Sequence, residues 1–422
     1  MSKSRSKPDE GFEVKFEDAL EANGLDFNRT KEISLINRRA MVKVYADRTE
    51  YSPNDEVIFQ INTGTLMVAP KNSWLQFELN ATDIGDAKIA FNTHDSKTAN
   101  HGSAVNLIQG CRLTNGEEIF RENQVNLRNY HESAYMLGDS YKLTTGSSFA
   151  AGSTDDIKDA TPTYAIPLEK LSPFFEQDEL INSQLIAGSM LHITLEAAAT
   201  ALVSINGTAT YVIKNPVLVL DTHRAGATTE QELKNKSSQQ DGLTYEYTTY
   251  QSTNSGLGAN VGRISANVGK PVSQTLYAFS VMRDSSNINL ATVDSFASSA
   301  MTVTLPQWSY RLGSQQIPET KVTNNTETFM MAQLAFDKMR MADASPHSVT
   351  RTKFDTTNGI IAASYARHHK INLSGVALNV GGRQLHLDLT TSDAATAREI
   401  TTFMRYYVIA RSYLSGQIEV SI

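Results

Sequence analysis

An internal repeat constrains the fold of this chain more than any other feature of its sequence. Residues 188–195, GSMLHITL, are identical to residues 382–389, GRQLHLDL, at four of eight positions, with an offset of 194. A second match, between 107–119 and 305–317, comes in the same order at a similar offset. Two matches in register indicate a duplicated domain of about 190 residues.

Both halves of the chain show the pattern of β-structure. Apolar and polar residues alternate in short segments that are rich in β-branched and aromatic side chains, among them 41–46, 56–63 and 74–79. A polar stretch at 225–242, whose one sizeable apolar side chain is Leu233, interrupts the alternation before it returns. The strands are not regularly separated by helices, which favours antiparallel sandwiches over barrels or βαβ units.

One helix is predicted at the same place in each half, after the segments of the second match. The first covers roughly 121–137, and the second covers 327–341, where Asn324 or Asn325 can cap it. The sequence therefore predicts two similar all-β domains, each with about eight strands and one or two inserted helices.

The polar stretch divides the chain into four parts. We predict an N-terminal arm at 1–38, a first domain at 39–224, a linker at 225–242 that holds at most one short helical turn, and a second domain at 243–422. A linker is expected there because the stretch carries too few apolar side chains to contribute much to a core.

The arm begins with three positive charges, on Lys3, Arg5 and Lys7, and continues with an acidic stretch. Two interpretations remain open at this stage. The arm is a solvated tail, as chain termini often are, or it docks on neighbouring subunits or on an inner surface.

Composition excludes several classes of protein. The formal net charge of −7 argues against general coating of nucleic acid, and a single cysteine, Cys111, rules out an intramolecular disulfide and a Cys-rich metal site. No apolar run approaches the length of a membrane span, and the N-terminus lacks the apolar region of a secretory signal. The chain is expected to be made and kept in a reducing, soluble compartment.

No catalytic motif in the sequence is complete. The glycines of 256–262 miss the dinucleotide-binding spacing by one residue, and the pair at 131–132 is not followed by the second histidine of a zinc-protease motif. His368 and His369 are adjacent, so on a strand they point to opposite faces and do not share an ion easily. His386 and Asp388 do share a strand face, which we interpret as a polar sheet surface. We predict no catalytic, cofactor-binding or metal-binding residues and no enzymatic activity.

A family resemblance rests on the order of several segments. The strands and helix of the first half are followed by YAIPLEKLSPFF at 164–175, by 179–196 and by NPVLVLDT at 215–222. This order resembles the first domain of double jelly-roll major capsid proteins, found in tailless icosahedral viruses of the adenovirus and membrane-containing phage lineage. In the second half, 370–389 and 401–422 are similar to the last strands of that family.

The resemblance implies an all-β fold of two tandem eight-stranded antiparallel jelly-roll sandwiches with a few inserted helices. It implies a structural major capsid protein whose homotrimers form pseudo-hexagonal capsomers that tile an icosahedral virus shell, without a cofactor. The implied partners are other copies of the chain, neighbouring capsomers, and penton or minor capsid proteins. The arm, through Lys3, Arg5 and Lys7, would contact the genome or an internal membrane. The implied location is the virion, after synthesis in the host cytoplasm without a secretion signal.

Two other functions remain open from the sequence. A two-domain jelly-roll glycan hydrolase shares the predicted architecture but needs an acidic cluster at one end of the sandwiches. A glycan-binding or adhesin module is expected to show exposed aromatic side chains. Trp74 and Trp308 both lie inside strand-like segments and are predicted to be core residues.

Overall fold

The structure is a computed structural model, and it describes residues 36–85, 87–92, 103–136, 148–149, 156–239, 242–269, 272, 274–301, 307–336, 349–365, 384–391 and 396–421. Strands dominate these residues and helices are few. Within the same ranges, no helix combines the length and the apolar character that crossing a membrane requires.

In the first half, eight strands form two antiparallel sheets. These strands are β1 (Ile36–Tyr45), β3 (Glu56–Ile61), β4 (Met67–Asp83), β6 (Ile108–Asn115), β7 (Glu117–Asn123), β8 (Thr163–Pro167), β9 (Ser189–Leu195) and β11 (Ala209–Ala225). One sheet has the order β1-β11-β4-β8 and the other has the order β3-β9-β6-β7. Of the short strands, β2 (Glu50–Tyr51) adds to β11, while β5 (Ile89–Phe91) pairs with β10 (Leu202–Ser204).

The second half also builds two antiparallel sheets from eight strands. These strands are β12 (Leu243–Leu257), β13 (Arg263–Asn267), β14 (Thr275–Asp284), β15 (Gln307–Leu312), β16 (Gln315–Val322), β17 (Ile360–Ser364), β18 (Leu385–Thr390) and β19 (Arg398–Ser412). The sheet orders are β12-β19-β14-β17 and β13-β18-β15-β16, and β20 (Ile418–Ser421) pairs with β19.

The two halves have one topology. When the eight strands of each half are ranked along the chain, both halves form one sheet in the order 1-8-3-6 and another in the order 2-7-4-5. This is the arrangement of a jelly roll, in which two such sheets face each other. The repeated segments 188–195 and 382–389 fall on β9 and β18, the seventh strand of each jelly roll. The prediction of two tandem eight-stranded antiparallel jelly rolls is therefore confirmed.

The α-helices in the described residues are six, and one in each jelly roll follows the same duplication. They are α1 (Val125–Met136), α2 (Ser183–Ile186), α3 (Ala198–Ala201), α4 (Ala227–Ser237), α5 (Asn325–Ala335) and α6 (Arg351–Thr356). Short 3₁₀ helices occur at Ala104–Leu107, Leu168–Lys170, Pro173–Glu176 and Ser285–Asn287. Both α1 and α5 follow the fifth strand of their jelly roll, as predicted. The cap of α5 is Asn324, whose Oδ1 accepts a hydrogen bond from the backbone N–H of Glu327 at 2.8 Å.

The polar stretch between the jelly rolls contains more helix than the sequence suggests. We expected at most one turn, but α4 has eleven residues. Its side chains are mostly exposed, and Lys234 and Glu230 pair one turn apart at 2.9 Å. Helix α4 has one large apolar side chain, Leu233, but no glycine or proline, so local propensity is sufficient for a helix. The domain limits at 38, 224 and 242 stay predictions.

Two apolar cores lie between the sheets, and each contains side chains from the other jelly roll. The core of the first takes in Tyr245 and Tyr247 from β12, and the core of the second takes in Tyr130 and Tyr135 from α1. Trp308 is buried in the second core, as predicted. The prediction for Trp74 is wrong, because Trp74 is only half-buried and points away from the sandwich while its neighbour Leu75 points inward.

Candidate functional site

The junction of the two jelly rolls contains a buried cluster of ionised side chains, which we call the junction cluster: Glu122, Arg128, Glu132, Glu176 and Arg405. Arg128 lies on the first turn of α1 and is only 2% exposed. Its guanidinium lies 2.8 Å from the carboxylate of Glu132, one turn further along the helix, and 3.3 Å from that of Glu122 at the end of β7. It also donates to the carbonyl oxygen of Leu171 at 3.1 Å.

The second jelly roll completes this cluster from the strands of its 1-8-3-6 sheet. Arg405 on β19 donates to Glu176 at 2.6 Å and lies 3.9 Å from Glu132. On β12, the hydroxyl of Tyr250 donates to Glu132 at 2.6 Å and that of Thr249 donates to Glu122 at 2.9 Å. Each of these contacts crosses from one jelly roll to the other, so charges on one are neutralised by groups on the other.

The carboxylates of the cluster differ in their preference for the charged form. Burial raises the pKa of Glu122 above its usual range, although Arg128 acts in the opposite direction. Burial also acts to raise the pKa of Glu132, but Arg128 and Arg405 outweigh it, and this pKa lies below its ordinary value. For Arg405, burial favours the neutral form, but the nearby carboxylates outweigh it and raise the pKa. Glu132, Arg128 and Arg405 thus favour their charged forms together inside the protein.

Helix α1 also contacts the second jelly roll through neutral groups. The hydroxyl of Tyr130 donates to Asp294 at 2.8 Å, and Nε2 of His131 donates to the carbonyl oxygen of Phe296 at 2.9 Å. The hydroxyl of Tyr135 donates to the carbonyl oxygen of Asn358 at 2.7 Å. Ten of the twelve residues of α1 are buried, so this helix is a structural part of both jelly rolls.

A second contact lies beside the junction cluster, nearer the start of β12. There the ring of Phe174 packs against Tyr245 and Tyr247, with ring centroids 5.3 Å and 4.8 Å apart. The hydroxyl of Tyr247 donates to the carbonyl oxygen of Ile119 at 2.5 Å. These aromatic contacts, together with the junction cluster, fix the second jelly roll against the edge of the first.

Several residues that the sequence analysis considered as sites are not among the residues that the structure describes. Lys3, Arg5 and Lys7, like His368 and His369, lie outside the described residues. The remaining candidates make ordinary sheet contacts.

His192 on β9 lies 3.3 Å from Glu56 on the neighbouring strand. Asp388 on β18 accepts hydrogen bonds from Ser265 at 2.5 Å and from Arg311 at 3.0 Å. Within the part of the chain that the structure describes, no group of three or more His, Cys, Asp or Glu side chains is placed to hold a metal ion.

Sequence reasoning missed the junction cluster. One signal for part of it was available, because Arg128 and Glu132 stand four residues apart in the predicted helix and can pair there. Their burial could not be read from that spacing, because the same spacing is typical of exposed helix surfaces.

Comparison with known proteins gives the fold its context. No protein-family model matches the sequence, and a search of curated proteins gives no match. Among solved structures, the VP54 protein of PBCV-1, fitted into a cryo-EM reconstruction of the virophage Sputnik, aligns with a TM-score of 0.62. Its identity is 14%, over 94% of this chain and 99% of that one.

Two further structures give the same result. The cryo-EM structure of the Sputnik virophage aligns with a TM-score of 0.61 at 11% identity, over 100% of this chain and 93% of that chain. The Faustovirus major capsid protein aligns with a TM-score of 0.57 at 9% identity, over 95% of this chain and 98% of that chain. The chain therefore has the double jelly-roll fold of viral major capsid proteins, and the resemblance drawn from its sequence is confirmed in the fold.

Proposed function

We propose that this chain is a structural major capsid protein. The observation that carries the proposal is the duplication, because one chain contains two jelly rolls of identical topology. The buried junction cluster holds the two in contact. Two similar units in fixed relation give a subunit two similar footprints, which is what a regular shell built from one protein requires. The role is structural rather than enzymatic.

The assembled unit is a homotrimer with a pseudo-hexagonal outline. Three copies of a doubled jelly roll place six similar units around a threefold axis, and such a capsomer tiles an icosahedral shell with nearly equivalent neighbours. The protein's location is then the virion, and its partners are neighbouring capsomers together with penton or minor capsid proteins.

Solution mass tests this proposal. Size-exclusion chromatography with light scattering is expected to give a species of about 139 kDa, three times the chain mass of 46.4 kDa. Electron microscopy of that species should then show a pseudo-hexagonal outline. A strict monomer at every concentration would contradict the proposal and redirect the work to glycan-binding and glycan-hydrolysis assays.

The N-terminal arm at 1–38 is proposed to lie on the inner face of the shell. Three cationic side chains, Lys3, Arg5 and Lys7, suit an anionic surface such as the genome or an internal membrane. Deleting residues 2–20 should weaken particle assembly or particle stability. Particles of unchanged yield and thermal stability would remove the basis for this role.

A further inference from the structure

The outer face of a 1-8-3-6 sheet, meaning the face turned away from its own sandwich, is covered in the second jelly roll. Tyr250, Arg405 and Tyr277 stand opposite one another on β12, β19 and β14, so they share a face. Ser280 lies on the opposite face of β14 from Tyr277. Its hydroxyl is hydrogen-bonded to the hydroxyl of Tyr310 on the facing sheet, so the face of Ser280 is the interior of the sandwich. The outer face is thus the one that receives α1, through Glu132.

The equivalent outer face of the first jelly roll is exposed and partly apolar along its edge strand β1, whereas Val219 on β11 is only 3% exposed. Met41 and Tyr45 on β1 point to this side, and they are 47% and 69% exposed. Across the sheet, Lys43 stands opposite Val219, which in turn stands opposite the half-buried Trp74. Exposed apolar side chains such as Met41 and Tyr45 on an outer sheet face are typical of a surface that another element covers.

Helix α5, the equivalent of α1 in the second jelly roll, also has exposed apolar side chains. Counted from the first residue of each helix, Met330 and Leu334 occupy the sixth and tenth places of α5, where α1 has Tyr130 and Ala134. Tyr130 and Ala134 are buried in the core of the second jelly roll, whereas Met330 and Leu334 are each 43% exposed.

We propose that α5 of one copy packs on the outer face of the first jelly roll of a second copy, and so repeats between chains the contact that α1 makes within the chain. Met330 and Leu334 meet the surface formed by Met41, Tyr45 and Trp74. This inference rests on the proposed function, and it assigns the trimer contact to two particular surfaces.

The occupant is a second copy because the chain itself supplies both surfaces and already joins their counterparts. A contact between two different surfaces of identical chains is heterologous, and it closes into a ring when its rotation allows. Each copy in such a ring offers one α5 and one outer face, so no surface of either kind is left over.

The contact between chains differs from the one within the chain in its chemistry. The place of Arg128 in α1 is taken in α5 by Thr328, which accepts a hydrogen bond from Nε1 of Trp308 in its own jelly roll at 2.9 Å. The side chains that meet across the proposed contact are therefore apolar, with Lys43 standing between Met41 and Tyr45 on β1. An apolar contact is not screened by salt, so the trimer should persist in about 1 M NaCl.

Single-charge variants test the two surfaces. Met330→Asp and Met41→Asp should each raise the concentration at which half the chains are monomeric by about tenfold or more, because a carboxylate would be buried without a partner. Ile84→Asp and Ile205→Asp are matched controls, since these side chains are 93% and 85% exposed elsewhere on the first jelly roll. The controls should leave the trimer intact, and circular dichroism checks that all four variants fold.

Mixing the two variants tests the heterologous geometry. An intact α5 on the Met41→Asp chain can still meet the intact outer face of the Met330→Asp chain. The mixture should therefore give a two-chain species of about 93 kDa, twice the chain mass of 46.4 kDa, but no trimer.

The outcomes separate this inference from the proposed function. A wild-type chain that stays monomeric contradicts the proposed function itself. A wild-type trimer that survives both interface variants, or that the control variants also dissociate, overturns the assignment of surfaces and leaves the capsid role standing. Monomeric variants that form no mixed dimer overturn the pairing of these two surfaces.

Discussion

Helices α1 and α5 occupy the same place in two jelly rolls of one topology, yet they belong to their surroundings in different ways. Ten of twelve residues of α1 are buried, against four of eleven in α5. The fourth residue of α1 is Arg128, which contacts four carboxyl or carbonyl groups inside the junction, whereas the fourth residue of α5 is Thr328, which accepts a hydrogen bond within its own jelly roll. Duplication therefore preserved the topology, while each copy of the helix acquired the side chains that suit its partner.

Burial of a helix therefore depends on what packs against it rather than on its place in the fold. Both helices follow the fifth strand, but only α1 has the second jelly roll of the same chain against it. Its charged residues are tolerated inside because opposite charges from β12 and β19 come with that cover. Four substitutions probe this difference between the helices and their surroundings, in order of decreasing loss of stability.

Replacing Arg128 by Met should give the largest loss. The change leaves the carboxylates of Glu122 and Glu132 buried without their nearest cation, which typically costs about 3–5 kcal/mol of unfolding free energy. Urea denaturation followed by circular dichroism and by tryptophan fluorescence measures the loss. A loss below about 1 kcal/mol would mean that water or rearrangement neutralises the cluster.

The double variant Arg128→Met with Glu132→Gln provides the control for that experiment. Removing a carboxylate together with the cation leaves less uncompensated charge, so part of the lost stability should return. A double variant that loses the sum of both single effects would show that the two side chains act independently.

Replacing Thr328 by Val tests the corresponding position of α5 and should have a smaller effect. The shape is kept, but Nε1 of Trp308 loses the acceptor that lies 2.9 Å away, and an unsatisfied buried donor costs about 1–3 kcal/mol. The same urea experiment measures it. A loss as large as that of Arg128→Met would erase the distinction between the helices.

The sequence predicted the fold well because the repeat and the alternation are local signals. The seventh strands, the helices after the fifth strands and the β-rich character of both halves follow from short segments such as 188–195 and 382–389. Helix α4 was underestimated for the opposite reason, since it depends on local propensity and on an exposed ion pair rather than on an apolar face.

The junction was not predictable in the same way. The carboxylates come from the first jelly roll, on Glu122 and Glu132, and their second cation comes from Arg405 in the other. These groups meet only after the two sandwiches dock. Trp74 illustrates the same limit, because alternation shows that it and Leu75 face opposite sides of β4 but not which side is the interior. Whether an outer sheet face is buried depends on which other element packs against it, so the sequence of one segment does not predict it.

The eighth strands extend the comparison to charge. The two side chains to compare are Asp221 on the outer face of β11 and Arg405 on the outer face of β19. Arg405 pairs with the other jelly roll, whereas Asp221 accepts hydrogen bonds from Arg39 at 2.8 Å and Asn72 at 3.0 Å within its own sheet. Burial raises the pKa of Asp221, but these bonds outweigh it, and the pKa lies below its ordinary value.

Asp221→Asn should therefore change how stability depends on pH. A depressed folded-state pKa gives stability that is present above the unfolded-state pKa, about 3.9, and that is lost as pH falls through the folded-state pKa. The variant lacks this contribution, so the gap between wild type and variant should narrow below about pH 4. Urea denaturation at several pH values measures the gap. The gap in unfolding free energy between wild type and Arg39→Met should narrow over the same pH range. A gap that widens on acidification would contradict this pairing.

The smallest effect is expected where the spacing of Arg128 and Glu132 recurs on the surface. Arg351 and Asp355 are also four residues apart on a helix, and their atoms lie 2.9 Å apart, against 2.8 Å in the junction. The exposed fractions are 38% and 21%, against 2% and 7% in the junction, so water solvates the partner that remains after either is removed. Arg351→Met should cost only about 0.3–0.5 kcal/mol. The two pairs agree in spacing and distance and differ in burial. A loss of unfolding free energy for Arg351→Met that approaches that of Arg128→Met would therefore show that burial does not set the cost of removing the arginine.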